Sequence, residues 1–176
     1  DNLDTDDLAD FLQSLPSRLT DQVLNSLDKL QLKRVEKVLS FPEDSAGGLM
    51  NTDAITIRAQ VTLDVVLRYL RRRGALPSQT DSLIVVDGHD NYLGVLHLST
   101  LLTSLPDVSV YEVMDSQIEA IPADTSATAV AKKFETQDLI TAPVVDDNNK
   151  LLGRITIDDV VDVIRDEAEH SVMSMA

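Results

Sequence analysis

The sequence predicts an α+β fold: a short all-helical segment, then two copies of a strand–helix–strand–strand–helix repeat. Three observations predict it. Apolar residues recur at helical spacing through about the first 40 residues, the texture changes to short β-branched runs after "FPEDSAGG", and the second half restates the pattern of the first. At 176 residues the chain suits one ordinary domain or two small ones and can bury a real core.

In the helical segment, "TDDLADFLQSL" starts with Thr5 or Asp6 as a cap and puts Leu8, Phe11, Leu12 and Leu15 at helical spacing, until Pro16 breaks the pattern. A second helix carries Val23, Leu24 and Leu27; a third carries Leu32, Val35, Val38 and Leu39 and ends before Pro42. Three short amphipathic helices make a poor core by themselves. They are expected to pack on something else or to continue a longer helical array.

The first repeat opens with a strand over 54–58, "AITIR". Thr62 caps a helix, "TLDVVLRYLRRR", that stops at Gly74. The runs "SLIVVD" and "YLGVLHL" are strands joined by a turn at "GHDN", and "STLLTSL" is a short helix. The second copy is aligned by Met50 with Met114, an offset of 64, and further on by Asp87 with Asp146 and Gly94 with Gly153, an offset of 59. The first copy therefore holds five extra residues, around "GALPSQTD". Two such copies imply one pseudo-symmetric unit with sheets packed together and helices outside.

Composition narrows the function. There is no cysteine, so disulfides and thiol chemistry are out. The formal net charge of −15 repels nucleic acid and anionic surfaces and attracts cations. No apolar run approaches the roughly 20 residues of a spanning helix, and no signal segment opens the chain. The first residue is Asp1, which suits a piece of a longer protein. No nucleophile elbow, phosphate loop or zinc-protease motif occurs, and aromatic residues are too sparse for a sugar cleft, so an enzyme is not expected.

The stretch "LLGRITIDDVVDVIRDEAEH" is the most informative. On a helix turning about 100° per residue, Asp158, Asp159, Asp162, Asp166 and Glu169 share roughly a quarter to a third of a turn. Val160, Val161, Ile164 and Ala168 fall opposite, and Glu167 lies off the stripe. Like charges at i,i+4 each cost a few tenths of a kcal/mol, so the column needs open water or a counter-ion. A hard cation fits: Mg²⁺ is commonly held by one or two carboxylates plus waters. No Ca²⁺-loop pattern is present, and His89, His97 and His170 are too scattered for zinc. The plainer alternative is a solvated acidic face with acids favourably placed at a helix N-terminus. Asp6 and Asp10 form a second i,i+4 acidic pair. The basic cluster Arg68, Arg71, Arg72 and Arg73 suits the C-terminal end of its helix.

The repeat resembles a tandem pair of CBS domains. The carrying residues are "TAPVVD" and "GRITIDD", with Gly153, Thr156 and Asp159 spaced G-x-x-T-x-x-D. Together with "PEDSAG" and the acidic helical segment, it is similar to the cytosolic part of the MgtE family of magnesium transporters. The resemblance implies a truncated helical N domain over 1–45, CBS domains over 46–110 and 111–166, and over 167–176 the start of a helix toward an absent membrane pore. It implies a homodimer on the cytoplasmic face of the bacterial membrane, sensing Mg²⁺ and, in some members, binding ATP or AMP. It points to Asp6, Asp10, Asp138, Asp159, Asp162 and Glu167 as metal ligands, to which the acidic column adds Asp166. His170, Ser126 and Thr128 stand where acids are expected, which weakens part of that set.

A nucleotide would use the second copy. Backbone at Thr141, Ala142 and Pro143 would hold adenine, the Thr156 hydroxyl phosphate, and the Asp159 carboxylate ribose. In the first copy His97 and Thr100 replace that threonine and aspartate, so at most one competent adenosine site per chain is expected. Asp159 is claimed by both sites, and Thr156 and Asp159 equally suit the simple start of a helix. Two roles therefore stand: a Mg²⁺ sensor, or an adenine-nucleotide module whose acidity is incidental.

Overall fold

The computed structural model describes residues 40–175. The chain divides into two compact units, Asp1–Pro42 and Glu43–Ala176. The three expected N-terminal helices, with Asp6 and Asp10, lie outside the described residues.

Residues 43–175 carry helix α1 (Ala46–Leu49) and then two copies of one motif. The first is β1 (Thr56–Arg58), α2 (Leu63–Arg73), β2 (Ser82–Val86), β3 (Tyr92–His97) and α3 (Leu98–Thr103). The second, after the short α4 (Val110–Val113), is β4 (Ile121–Pro122), α5 (Ala127–Gln137), β5 (Thr141–Val145), β6 (Leu151–Thr156) and α6 (Ile157–Met175). The strand expected over 54–58 is shorter than its alternation suggested, because Ala54 and Ile55 belong to the lead-in from α1. Helix α1 was not foreseen; four residues are too few for a periodic signal, and Ser45 caps it by accepting from the amide of Gly48 at 3.3 Å.

Each copy makes a three-stranded sheet, β1-β2-β3 and β4-β5-β6. The outer pairing β1–β2 is parallel, since α2 intervenes, and β2–β3 is antiparallel across a tight turn. The second sheet repeats both pairings and even the bulge, at Val85/Val86 in one and Val144/Val145 in the other.

The continuous apolar run of β2 is buried on both faces. Leu83 and Val85 join Ile57, Leu63, Val66, Leu96 and Leu101 in the core under α2 and α3. Ile84 and Val86 point the other way, to Ala54, Tyr92 and Leu151, and form the seam between the copies. Fully burying side chains such as Leu63, Leu83 and Leu96, each 0 % exposed, contributes about 1.5–3 kcal/mol apiece.

Helix α2 stops as expected at Gly74, whose φ of 82° is one that glycine adopts readily and other residues rarely do. The expected cap fails: Thr62 occupies the cap position but its side chain makes no capping hydrogen bond. The amides of Leu63 and Asp64 donate instead to the carbonyls of Val108 and Pro106, both at 2.9 Å. The arginine cluster follows the helix end, with Arg68 paired to Asp64 at 3.2 Å on the surface.

The two hairpin turns are built alike. Asp87 Oδ1 accepts from the amides of His89 and Asn91 at 2.8 and 3.0 Å, and Asp146 Oδ1 from those of Asn148 and Lys150 at 2.8 and 2.9 Å. Asp90 and Asn149 hold matching left-handed φ values of 62° and 63°. The hydrogen bond from the Asn91 side chain, then those from the His89 and Asn91 amides, hold the Asp87 carboxyl at about 2. A depressed carboxyl stabilises the turn above its ordinary pKa, and that support is lost as pH falls through about 2. An NMR titration of Asp87 should therefore find its midpoint near 2 and, in Asn91→Ala, a midpoint moved up toward 3.8. An unmoved midpoint would remove the Asn91 side chain as the main cause.

Candidate functional site

The chain segments entering each repeat are exchanged. Asn51, just ahead of β1, pairs antiparallel with Arg154 of β6, and Asp115, ahead of β4, pairs with Val95 of β3. Glycine permits both crossings. A Cβ on Gly153 would lie 2.4 Å from the Asn51 carbonyl oxygen, and one on Gly94 would lie 2.6 Å from that of Asp115. These are the glycines aligned in the sequence repeat, so the first residue of G-x-x-T serves close approach of backbone.

A cleft lies where the two sheets meet. Ser82 and Thr141, Ile84 and Pro143, and Val95 and Arg154 line it as equivalent pairs. Of the expected nucleotide residues, Thr141, Ala142 and Pro143 line this cleft. The Thr141 hydroxyl donates to Asp81 Oδ1 at 2.8 Å. Thr156 and Asp159 do not line it. Thr156 is 3 % exposed, and its hydroxyl donates to Asp158 and lies 3.2 Å from Asp159 Oδ2. Asp159 also accepts from Asn51 Nδ2 at 2.9 Å. Both side chains thus organise the start of α6.

The residue that dominates the cleft went unremarked in the sequence. Arg154 is only 5 % exposed. Its Nε donates to Asp53 Oδ1 at 3.0 Å, and its terminal nitrogens donate to the carbonyls of Gln79 and Ser78 at 2.8 and 2.7 Å. Ser78 and Gln79 belong to the five-residue surplus of the first copy. The surplus therefore carries the acceptors that solvate a buried cation on the other copy. Valine at the equivalent position, Val95, against arginine at 154 was the one available signal.

In the first copy the counterpart of Thr156 is His97, which meets the lead-in of the second copy. His97 Nε2 lies 3.0 Å from Asp115 Oδ2. That hydrogen bond, and a second from the amide of Gln117, hold the Asp115 carboxyl below its ordinary range. Burial, with the Asp115 charge nearby, pushes the Tyr92 hydroxyl up; it donates to the carbonyl of Ile118 at 2.6 Å.

The acidic helix forms as its periodicity required. Asp158, Asp162, Asp166, Glu167 and Glu169 are exposed, while Val160 is buried and Val161 and Ile164 are half-buried. Ala168, expected on the packed side, is exposed. Thr128 donates to Glu167 at 2.6 Å, and the amide of Ile157 to the carbonyl of Ile140 at 2.8 Å, so α5 lies antiparallel along α6. Asp138 ends α5 in a left-handed conformation, φ 52° and ψ 45°, exposed. Asp162 and Asp166 have no ion-pair or hydrogen-bond partner among the described residues. Among those residues no three acidic or histidine side chains converge as a metal site. The oxygen-only donors suit a hard cation, but an ion here would need further ligands from water or from beyond these residues.

The sequence matches the CBS domain family over residues 46–107 and 110–166, and the MgtE intracellular N domain over residues 1–44. It is 34 % identical over 170 residues to the magnesium transporter MgtE of Thermus thermophilus, covering 95 % of this chain and 38 % of that protein. It is 28 % identical over 174 residues to the magnesium transporter MgtE of Bacillus subtilis, covering 99 % and 39 %. The chain thus spans well under half the length of these relatives. Among solved structures it resembles the cytosolic domain of the Mg²⁺ channel MgtE in complex with ATP, at 35 % identity and a TM-score of 0.72, covering 92 % of this chain and 66 % of that one.

Proposed function

The chain belongs to the CBS domain family, in the arrangement shared with the cytosolic part of MgtE magnesium transporters, and on that premise we propose that it is the Mg²⁺-sensing regulatory part of such a transporter. Its family is regulatory and non-enzymatic. The observation that carries the proposal is the exposed column on α6, where Asp162 and Asp166 have no partner among the described residues. Bare, these carboxylates repel one another and any other acidic surface brought near. A hydrated Mg²⁺ shared with acids elsewhere, Asp6 and Asp10 being the candidates, turns that repulsion into a bridge and biases a two-state arrangement.

Asp162 and Asp166 are the strongest ligands by this reasoning. Glu167 and Asp159 would exchange or share their contacts to Thr128 and Asn51, and Asp138 would act from the end of α5. The proposal includes a homodimer, and a pore supplied by the rest of the same transporter, with this part on the cytoplasmic face. The cleft with Thr141, Ala142 and Pro143 on its wall favours a second reading, an adenine-nucleotide site, since a relative of known structure holds ATP.

Thermal unfolding across a Mg²⁺ titration separates the two readings, with Na⁺ at matched ionic strength and ATP as further arms. At ten times its dissociation constant a ligand adds about 1.4 kcal/mol of stability. A saturable rise with millimolar Mg²⁺ beyond the salt control, blunted by Asp162→Asn, is expected. A rise with ATP alone would make this a nucleotide module and return the column to a solvated face.

A further inference from the structure

We propose that residues 44–53 act as a tether that couples the exit of the N-terminal unit to the start of α6, on the second repeat, and not to the first repeat that this segment leads into. Five main-chain hydrogen bonds carry it. The amides of Ala46 and Gly47 donate to the carbonyls of Thr125 and Ala123 at 2.8 and 2.9 Å, and the Ala127 amide donates to the Asp44 carbonyl at 2.7 Å. Asn51 and Arg154 exchange amide and carbonyl at 2.7 and 2.8 Å. Ala127 is the first residue of α5, so the tether supplies one of the acceptors that helix end lacks.

The side chains extend the same connection. Asn51 Nδ2 reaches Asp159 in the first turn of α6, and Asp53 meets Arg154 on β6. Ladder pairing to the first repeat begins only afterwards, when the Ile84 amide donates to the Ile55 carbonyl at 3.0 Å. The equivalent segment of the second copy crosses in the same way, and its Asp115 side chain meets His97, the cap residue of α3. Each lead-in thus holds the start of the other copy's last helix, and the Asn51–Asp159 contact is the one made to the helix that carries the acidic column. A pull on the chain at residue 43 therefore reaches the N-terminal ends of α5 and α6 before it reaches β1. The tether stands whether or not Mg²⁺ binds the column.

Native-state hydrogen exchange on the whole chain tests it. Amides of residues 44–53 and of the first two turns of α6 should open together, apart from β2. Asn51→Ala should speed exchange in both by about fivefold and leave β2 unchanged. Asn51→Asp keeps the side-chain size and sets a carboxylate against Asp159. It should speed exchange at the start of α6 further, by an excess that shrinks as salt rises. Opening of 44–53 together with β2, an α6 start unmoved by Asn51→Ala, or a salt-independent Asn51→Asp would each overturn the tether.

Discussion

Arg154→Ala is expected to lower the unfolding free energy by about 3–4 kcal/mol, the lower part of the roughly 3–5 kcal/mol range for removing one member of a buried ion pair. Arg154 is 5 % exposed, and its guanidinium serves Asp53 and the carbonyls of Ser78 and Gln79. Truncation leaves those two carbonyls without their donor and a void between the sheets. Asp53 remains 38 % exposed, so water recovers part of its solvation and the loss stays within that range. Arg154→Met should do less harm, because it refills the space and leaves only the acceptors short. Urea denaturation measures this as a lower midpoint at unchanged slope. A loss under about 1 kcal/mol would mean that water reaches the Ser78 and Gln79 carbonyls and that the clamp contributes little.

The second large effect is expected at Gly153. An alanine there sets a methyl 2.4 Å from the Asn51 carbonyl oxygen and 3.2 Å from Met50 Sδ, distances that backbone must yield to. Overpacking of this kind costs about 1–3 kcal/mol, and the value should lie at the top because the Asn51–Arg154 hydrogen bonds part as the segment moves. Gly94→Ala should behave alike against Asp115, whereas Gly88→Ala, with only an arginine side-chain atom at 3.4 Å, should stay within about 0.5 kcal/mol. Thermal unfolding of the three variants gives the ranking. Equal effects at Gly153 and Gly88 would mean that the glycines act through chain entropy alone.

What was legible in the sequence was what local period and internal repetition encode. The continuous apolar run "SLIVV" placed β2, the surplus around "GALPSQTD" located the one asymmetry in chain length, and the wheel of residues 158–169 put Asp158, Asp162 and Asp166 on an open face. The arginine at 154 read as one more member of a strand, and Thr156 and Asp159 read equally as ligand-binding or helix-starting residues. Asp53 and Arg154 lie 101 positions apart, and Asn51 and Asp159 lie 108 apart.

The sequence by itself determined two repeats, the kinds of element in each and an acidic stripe on the last helix, because side-chain period follows backbone geometry within a few residues. Only the tertiary structure decided that each repeat's lead-in lies on the other, that the surplus loop solvates Arg154, and that Thr156 and Asp159 hold the start of α6. Those choices satisfy buried polar groups and close backbone crossings between distant segments, and a polar group's partner across a fold leaves no periodic trace in the chain.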